Sequence, residues 1–475
     1  MNVVNGVVLG VLAGCLLILL LYAVRHYLLV LRRLTAAPPL DPMELTGFVL
    51  PSVTVIVPMH NEEQVAGDIL KAIVESDYDR SLLEVIVVND RSTDHTGRIL
   101  DRFAAEYPLV KVLHRTTGEG GKAAALEYAS AHAWGDILVM FDADYIPGRA
   151  LLKRLVVPFC DAEVGAVMGR VVPHNANSTL LSALLELERA AGYQIGQQAR
   201  QRLHFTPQFG GTVGGVRMTA LREVGGWNTR SLTEDTDLTF RLVLGGWKIA
   251  YVNRAECYEE VPESWSVRRR QIARWATGHT ECFHRFGWSI IRSRVLRMSE
   301  RIDALFVLGC YLTAPVLVIG WLCSLWLVLF APEFASLTFL VALMLIGFQL
   351  FGSQATFAEM GAAAYLDRNR YRVLLLPLAL VSFFSSTVSI CDALGRFYAR
   401  KLFTGKGGGR WHKTVRFRTN GNGGPLNSAA GHNGTRNGGS QATSDTARGW
   451  NRGVRLTRST NGTYRASIRP VASPP

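Results

Sequence analysis

The chain is 475 residues long, with 48% hydrophobic and 19% charged residues and a mean hydropathy of +0.15. Those values exclude a disordered chain and argue against a simple soluble domain. The formal charge of +13 does not point to nucleic acid: residues 400–475 hold 14 Lys/Arg and one acid, Asp445, and the remaining 37 basic and 37 acidic residues cancel.

Uncharged apolar stretches cover 6–24 (19 residues), 304–330 (27), 334–358 (25) and 373–391 (19). About 20 such residues span the hydrocarbon core of a bilayer. The first stretch is followed by Arg25, Arg32 and Arg33, has no basic residue before it and no A-x-A site after it. It reads as a signal anchor with its N-terminus outside, which puts residues 32–300 in the cytoplasm. The expected division is a transmembrane anchor over 1–31, a cytoplasmic block over 45–300, a transmembrane bundle over 301–400 and a basic tail over 401–475. The protein is therefore expected in the cell membrane as a multi-pass chain. Three later crossings would put the tail outside, whereas Arg400, Lys401 and the basic residues after them argue for the cytoplasm. The tail is rich in Gly, Asn, Ser, Thr and Arg, and is not expected to fold alone. It suits either solvent or an anionic lipid surface.

Within 45–300 the pattern alternates. Strands are predicted over 53–57, 84–88, 111–113 and 136–141, and helices over 62–76, 93–106 and 122–131. Such alternation predicts an α/β fold with a mostly parallel sheet covered by helices. Ligands of these sheets bind outside the carboxyl ends of the strands. The polar residues just past the strands are His60-Asn61-Glu62-Glu63, Asp90-Arg91-Ser92-Thr93-Asp94 and Asp142-Ala143-Asp144. They should meet in one cleft. Two carboxylates spaced i, i+2 after an apolar strand can approach one hard cation, which shares its remaining oxygens with phosphate. Gly118-Glu119-Gly120-Gly121-Lys122 reads as a Gly-rich turn opening a helix, either phosphate-binding or a plain turn with a surface lysine.

Further along, Thr233-Glu234-Asp235-Thr236-Asp237 precedes an apolar-periodic run; acids there serve chemistry or simply the first turn of a helix. Gln271-Ile272-Ala273-Arg274-Trp275 follows Arg268-Arg269-Arg270, a run that also suits an amphipathic helix on the inner leaflet. Cysteine usage points to a reducing compartment: there are seven Cys and no CxxC, which argues against a disulfide framework or structural zinc.

Taken in order, Asn61-Glu62-Glu63, Asp90, Asp142-x-Asp144, Thr233-Glu234-Asp235 and Gln271-x-x-Arg274-Trp275 resemble the signature of membrane-bound processive family-2 glycosyltransferases. These include the cellulose, chitin, hyaluronan and poly-N-acetylglucosamine synthases. The resemblance covers roughly residues 50–300. It departs at Asn89-Asp90-Arg91, where many members carry Asp-Asp-Gly, and in having one apolar run before the catalytic block where several relatives have more.

The resemblance implies a GT-A, Rossmann-like fold and a nucleotide-sugar donor, with UDP-N-acetylglucosamine ahead of UDP-glucose and GDP-mannose as a third candidate. It implies donor contacts from Glu62, Asp90, Lys122, Asp142, Gln271 and Arg274, and a Mg²⁺ or Mn²⁺ ion on Asp142 and Asp144. Asp235 would be the general base, with Glu234 beside it in the catalytic pair. Trp275, Gly214 and Gly215 would meet the acceptor. The implied reaction is inverting transfer to the end of a growing β-linked polysaccharide, processive and coupled to translocation across the membrane. Accessory export subunits are compatible with that reading. The alternatives are transfer of one sugar to a lipid acceptor, and an inactive membrane transport or scaffold protein.

Overall fold

The computed structural model describes residues 3–36, 45–46, 49–118, 120–331, 355–404, 454–458 and 464–468. Eight strands form one sheet: β1 (Val53–Met59), β2 (Leu83–Asp90), β3 (Val110–Arg115), β4 (Ile137–Met140), β5 (Ile146–Pro147), β6 (Val164–Pro173), β7 (Gly214–Arg217) and β8 (Lys248–Glu259). Their order is β3-β2-β1-β4-β7-β6-β8-β5. β1 runs parallel to β2 and β4, and β2 to β3; β7 is antiparallel to β4 and β6, and β6 is parallel to β8. The expected mostly parallel sheet is found, with one reversed strand, β7, at its centre and a second, β5, antiparallel to β8 at its edge.

Alternation along β1 explains the two-sided core. Side chains on a strand point to opposite faces in turn. Val55 and Val57 join Ile69, Leu100 and Phe141 on one side, and Ile56 joins Ile86, Leu126 and Phe240 on the other. Burial on both faces is why these strands read as unbroken apolar runs.

The helices needed below are α1 (Val3–Thr35), α2 (Ala66–Val74), α3 (Thr96–Glu106), α4 (Lys122–Ser130), α5 (Leu180–Ala190), α6 (Glu234–Leu244), α7 (Trp265–Arg292), α8 (Met298–Leu308), α9 (Thr313–Phe330) and α10 (Leu376–Thr404). Among the described residues, three segments are long and apolar enough to cross a membrane: Val3–Thr35, Cys310–Phe330 and Arg370–Phe403.

The apolar run 304–330, expected as one span, is broken. Its first residues belong to α8, and a tight turn over Cys310–Leu312 separates them from α9. The cause lies in α8, whose Val307 and Leu308 pack into the catalytic core beside Phe286. Its buried Asp303 pairs with Arg25 Nη2 of α1 at 2.7 Å and with Arg200 Nε at 3.4 Å. Most of the run 334–358 lies outside the described residues.

Val454–Arg458 and Tyr464–Ile468 pair as an antiparallel hairpin, and the second strand pairs with Leu45–Thr46.

Candidate active site

The carboxyl ends of β1, β2 and β4 open onto a cavity of about 630 Å³. Two laced loops form its rim at the ends of β1 and β2. After β1, Asn61 takes a left-handed φ of 54° and accepts the Thr93 N–H at 2.7 Å, and its own N–H donates to Ser92 Oγ at 2.9 Å. Glu62 is buried, and its N–H donates to Thr96 Oγ1 at 2.8 Å. After β2, the Asp90 carboxylate accepts from Gly121 N–H and Arg115 Nη1, each at 3.0 Å, and from Arg91 Nε at 3.2 Å. Asp90 thus pins the Gly-rich turn to the sheet, and its remaining lone pairs are left for a ligand.

That turn delivers Lys122, the first residue of α4. Its Nζ sits 2.6 Å from Asp142 Oδ1 and 3.7 Å from Glu234 Oε1. Burial disfavours the ammonium, but the Asp142 and Glu234 carboxylates outweigh it and raise its pKa, so Lys122 is cationic. Burial also raises the Glu234 pKa, against the pull of Lys122. Asp142 donates its N–H to Thr212 Oγ1 at 3.1 Å, and its side chain is about a third exposed; Asp144 is buried on the cavity wall.

The opposite wall comes from α6 and α7. Asp235 Oδ1 accepts the Thr236 N–H at 2.6 Å. Gly211, with a φ of +67°, brings its backbone against Asp235 and Glu234: a methyl there would lie 2.9 Å from Asp235 Cβ. Only glycine takes that conformation without cost and leaves the space.

On α7, Arg274 donates to the Leu232 carbonyl at 3.4 Å, and Gln271 Oε1 accepts from Arg268 Nη1 at 2.8 Å. Trp275 lies beside two guanidinium groups, with Arg189 5.2 Å and Arg268 5.4 Å from its ring centroid. Arg189 in turn pairs with the buried Glu259, which accepts from Tyr145 Oη at 2.8 Å.

The cavity thus gathers Glu62, Asp90, Lys122, Asp142, Asp144, Glu234, Asp235, Gln271, Arg274 and Trp275. Two expectations need correction. Gly214 and Gly215 are not among its lining residues. They sit in β7 between β4 and β6, where Phe209 and Phe159 fill the space a side chain would need. Gly210 and Thr212 of the same stretch line the cavity instead. Arg268, read with Arg269 and Arg270 as a lipid-facing run, is buried and pairs with Glu188; Arg269 and Arg270 are exposed.

The residues that sequence reasoning missed are Gln208, Arg189, Glu259 and His279. His279 follows Trp275 by four residues on α7, and that spacing shares a helix face. Spacing was the only signal for it. Arg189 and Glu259 gave none, being far apart in the chain.

Among the described residues, no group of three or more His, Cys, Asp or Glu side chains is gathered as a metal centre. Asp142 and Asp144 nevertheless offer hard carboxylate oxygens at the cavity edge. A small divalent ion needs one or two such groups and completes its shell with water and phosphate oxygens.

Residues 51–278 match the family model described as glycosyltransferase like family 2. The probable glycosyltransferase YdaM of Bacillus subtilis is 36% identical over 233 residues, covering 48% of this chain and 56% of that protein. The beta-monoglucosyldiacylglycerol synthase of Synechocystis sp. is 33% identical over 328 residues, covering 66% of this chain and 65% of that protein. The chain therefore spans between about half and two thirds of the length of these curated relatives. Among solved structures, the mannosyltransferase PcManGT of Pyrobaculum calidifontis, in complex with GDP-Man and Mn²⁺, superposes with a TM-score of 0.55. It is 25% identical, and the match covers 77% of this chain and 98% of that one. Residues 51–278 are a glycosyltransferase family 2 domain, built on the GT-A type of mostly parallel mixed sheet.

Proposed function

We propose that the protein transfers a sugar from a nucleotide-sugar donor to a hydroxyl acceptor presented from the bilayer side. One observation carries the reading: Lys122, Asp142, Asp144, Glu234, Asp235 and Arg274 meet at a single cavity whose far wall includes His26 of the apolar helix α1 and Cys310 and Tyr311 at the foot of α9. The donor end is polar and holds the Lys122 ammonium and the Asp142/Asp144 carboxylates, which a cation-bound diphosphate needs, and the other end borders the helices that suit a membrane.

Displacement at the anomeric carbon requires the acceptor hydroxyl to lose its proton. Asp235, held by the Thr236 N–H, takes that proton. The nucleoside diphosphate leaves with growing negative charge, which Lys122 and Arg274 balance from fixed positions. A divalent cation on Asp142 and Asp144 supplies further positive charge to the diphosphate when bound. Glu62 and Asp90 flank the nucleoside end, and Gln271 and Trp275 the junction with the acceptor. With the basic flank after α1, the catalytic block lies on the cytoplasmic face of a multi-pass chain.

The acceptor class follows from the far wall. A lipid carrying a free hydroxyl, or a sugar on a lipid, reaches the cavity along α1 and α9 without leaving the bilayer. The longer of the two curated overlaps reported above, with a protein named beta-monoglucosyldiacylglycerol synthase, favours this class. Trp275 supports a second reading, processive elongation of a glycan, because a sugar's C–H face packs on an aromatic ring. Proteoliposomes given labelled UDP-N-acetylglucosamine, UDP-glucose and GDP-mannose, with Mn²⁺ or with chelator, separate the two. Label extracted into organic solvent as one discrete species supports the lipid acceptor. Label in long water-soluble or insoluble chains supports the glycan. No incorporation from any donor, with Mn²⁺ or with chelator, contradicts sugar transfer.

A further inference from the structure

Beside the base is a cluster that sugar transfer as described does not use. His279 is 8% exposed on α7, and its Nε2 lies 3.3 Å from both Thr236 Oγ1 and Gln208 Nε2. Thr236 Oγ1 lies 3.3 Å from Asp235 Oδ1, and Gln208 Nε2 donates to Thr236 Oγ1 at 3.1 Å. Gln208 is itself fixed on two sides: its N–H donates to Gln197 Oε1 at 3.0 Å, and its carbonyl accepts from Gln197 Nε2 at 2.7 Å. Behind His279, Nδ1 faces Cys310 Sγ at 3.9 Å, the Val307 backbone is its hydrogen-bond partner, and the Tyr311 ring stands edge-on at 5.1 Å.

The donors and acceptors around the imidazole define its role. An amide nitrogen carries only donors, so Gln208 Nε2 requires His279 Nε2 to accept. The ring proton is then on Nδ1, facing the Val307 carbonyl and the Cys310 sulfur. With one Gln208 hydrogen on Nε2 and the other on Thr236 Oγ1, the Thr236 hydroxyl turns its single proton to Asp235 Oδ1. That oxygen already takes the Thr236 N–H. Oδ2 accepts no hydrogen bond among the described residues, and it is the oxygen left to receive a proton from an acceptor.

We propose that His279 is a positioning residue for the reaction, which through Gln208 and the Thr236 hydroxyl fixes the Asp235 carboxylate with Oδ2 free for the acceptor hydroxyl. The chain of contacts also links the base to Cys310 and Tyr311, at the entry to the apolar helix α9. This rests on Asp235 acting as the base.

The experiment uses the full chain in nanodiscs and nucleoside diphosphate release from UDP-N-acetylglucosamine, UDP-glucose and GDP-mannose run in parallel. His279→Phe keeps the ring's bulk and removes the acceptor; His279→Gln carries an amide that can still accept. The expected result is a fall in kcat of about tenfold to a hundredfold in His279→Phe, with the donor KM within about twofold. His279→Gln recovers most of kcat. Thr236→Val lowers kcat similarly, and His279→Phe combined with Thr236→Val is no worse than the poorer single variant, because both break one chain of contacts. Three results overturn the proposal: kcat unchanged in His279→Phe, losses that multiply in the double variant, or His279→Gln as impaired as His279→Phe. The last would mark a packing role. Asp235→Asn distinguishes the levels: if it stays active, the base assignment falls and this proposal with it. If it is inactive while His279→Phe is fully active, only the role of His279 falls.

Discussion

Gly211→Ala tests the site through a single methyl group. The added Cβ would lie 2.9 Å from Asp235 Cβ and 3.4 Å from both Asp235 Oδ2 and Glu234 Oε1. Carbon atoms in contact sit about 3.5–4.0 Å apart, so Asp235 has to retreat by about 0.6–1.1 Å. A catalytic group displaced by about 1 Å loses on the order of a hundredfold in rate, equivalent to about 2.7 kcal/mol in the barrier. The left-handed φ of +67° adds a separate cost to the fold, about 1–2 kcal/mol for an L-residue. Asp142 and Asp144 stand on another loop, so affinity for a nucleoside diphosphate with Mn²⁺ should change little. Steady-state nucleoside diphosphate release gives kcat, calorimetry gives the affinity, and thermal melting gives the fold. If kcat stays within about threefold of the parent while the protein remains folded, Asp235 is not held where the reaction needs it and the reasoning fails.

Other variants read the remaining parts of the site. Asp235→Asn should abolish transfer and leave donor binding largely intact; equal loss of both in calorimetry would remove Asp235 from the base role. Lys122→Met leaves Asp142 and Glu234 without their cation. Transfer should drop on the order of a hundredfold, about 2.7 kcal/mol in the barrier, as when one positioned charge stabiliser of the leaving group is removed, and an unchanged kcat/KM would contradict the role given to Lys122. His279 has a pKa held below its usual value by burial, partly countered by Asp235, and Cys310 and Tyr311 are the other titratable groups facing it. The unfolded chain therefore binds more protons just below about pH 6.5, and stability falls as the pH drops through that range. His279→Gln should lose less stability than the parent over the same acid range in chemical melts; identical slopes would contradict the buried, neutral imidazole.

Much of the α/β block was legible because its strands are buried on both faces. Runs such as Val85-Ile86-Val87-Val88 read as core strands, and the polar residues beyond them as one rim. The carboxylates and Lys122 could be placed on that rim because strand ends and helix starts are local properties. Long-range packing was not legible. Nothing in the spacing of Gly214 and Gly215 distinguishes a loop from the central reversed strand, where the Phe209 and Phe159 rings exclude side chains. The run 304–330 looked like one span because composition does not reveal that Val307 and Leu308 face the catalytic core, or that Asp303 just before them meets Arg25 and Arg200. Arg268 looked superficial for the same reason: its partner, Glu188, lies 80 residues earlier.

The central claim is that Asp142 and Asp144 hold a divalent cation whose other oxygens come from the donor's diphosphate. Electron paramagnetic resonance of Mn²⁺ bound to the full chain in nanodiscs, with UDP or GDP added, measures this directly. The account predicts that one of these diphosphates perturbs the bound Mn²⁺ and shows phosphorus coupling to it, and that both effects disappear when Asp142 and Asp144 are replaced together by Asn. Mn²⁺ spectra indifferent to both diphosphates, or a phosphorus coupling that survives the double replacement, would contradict it.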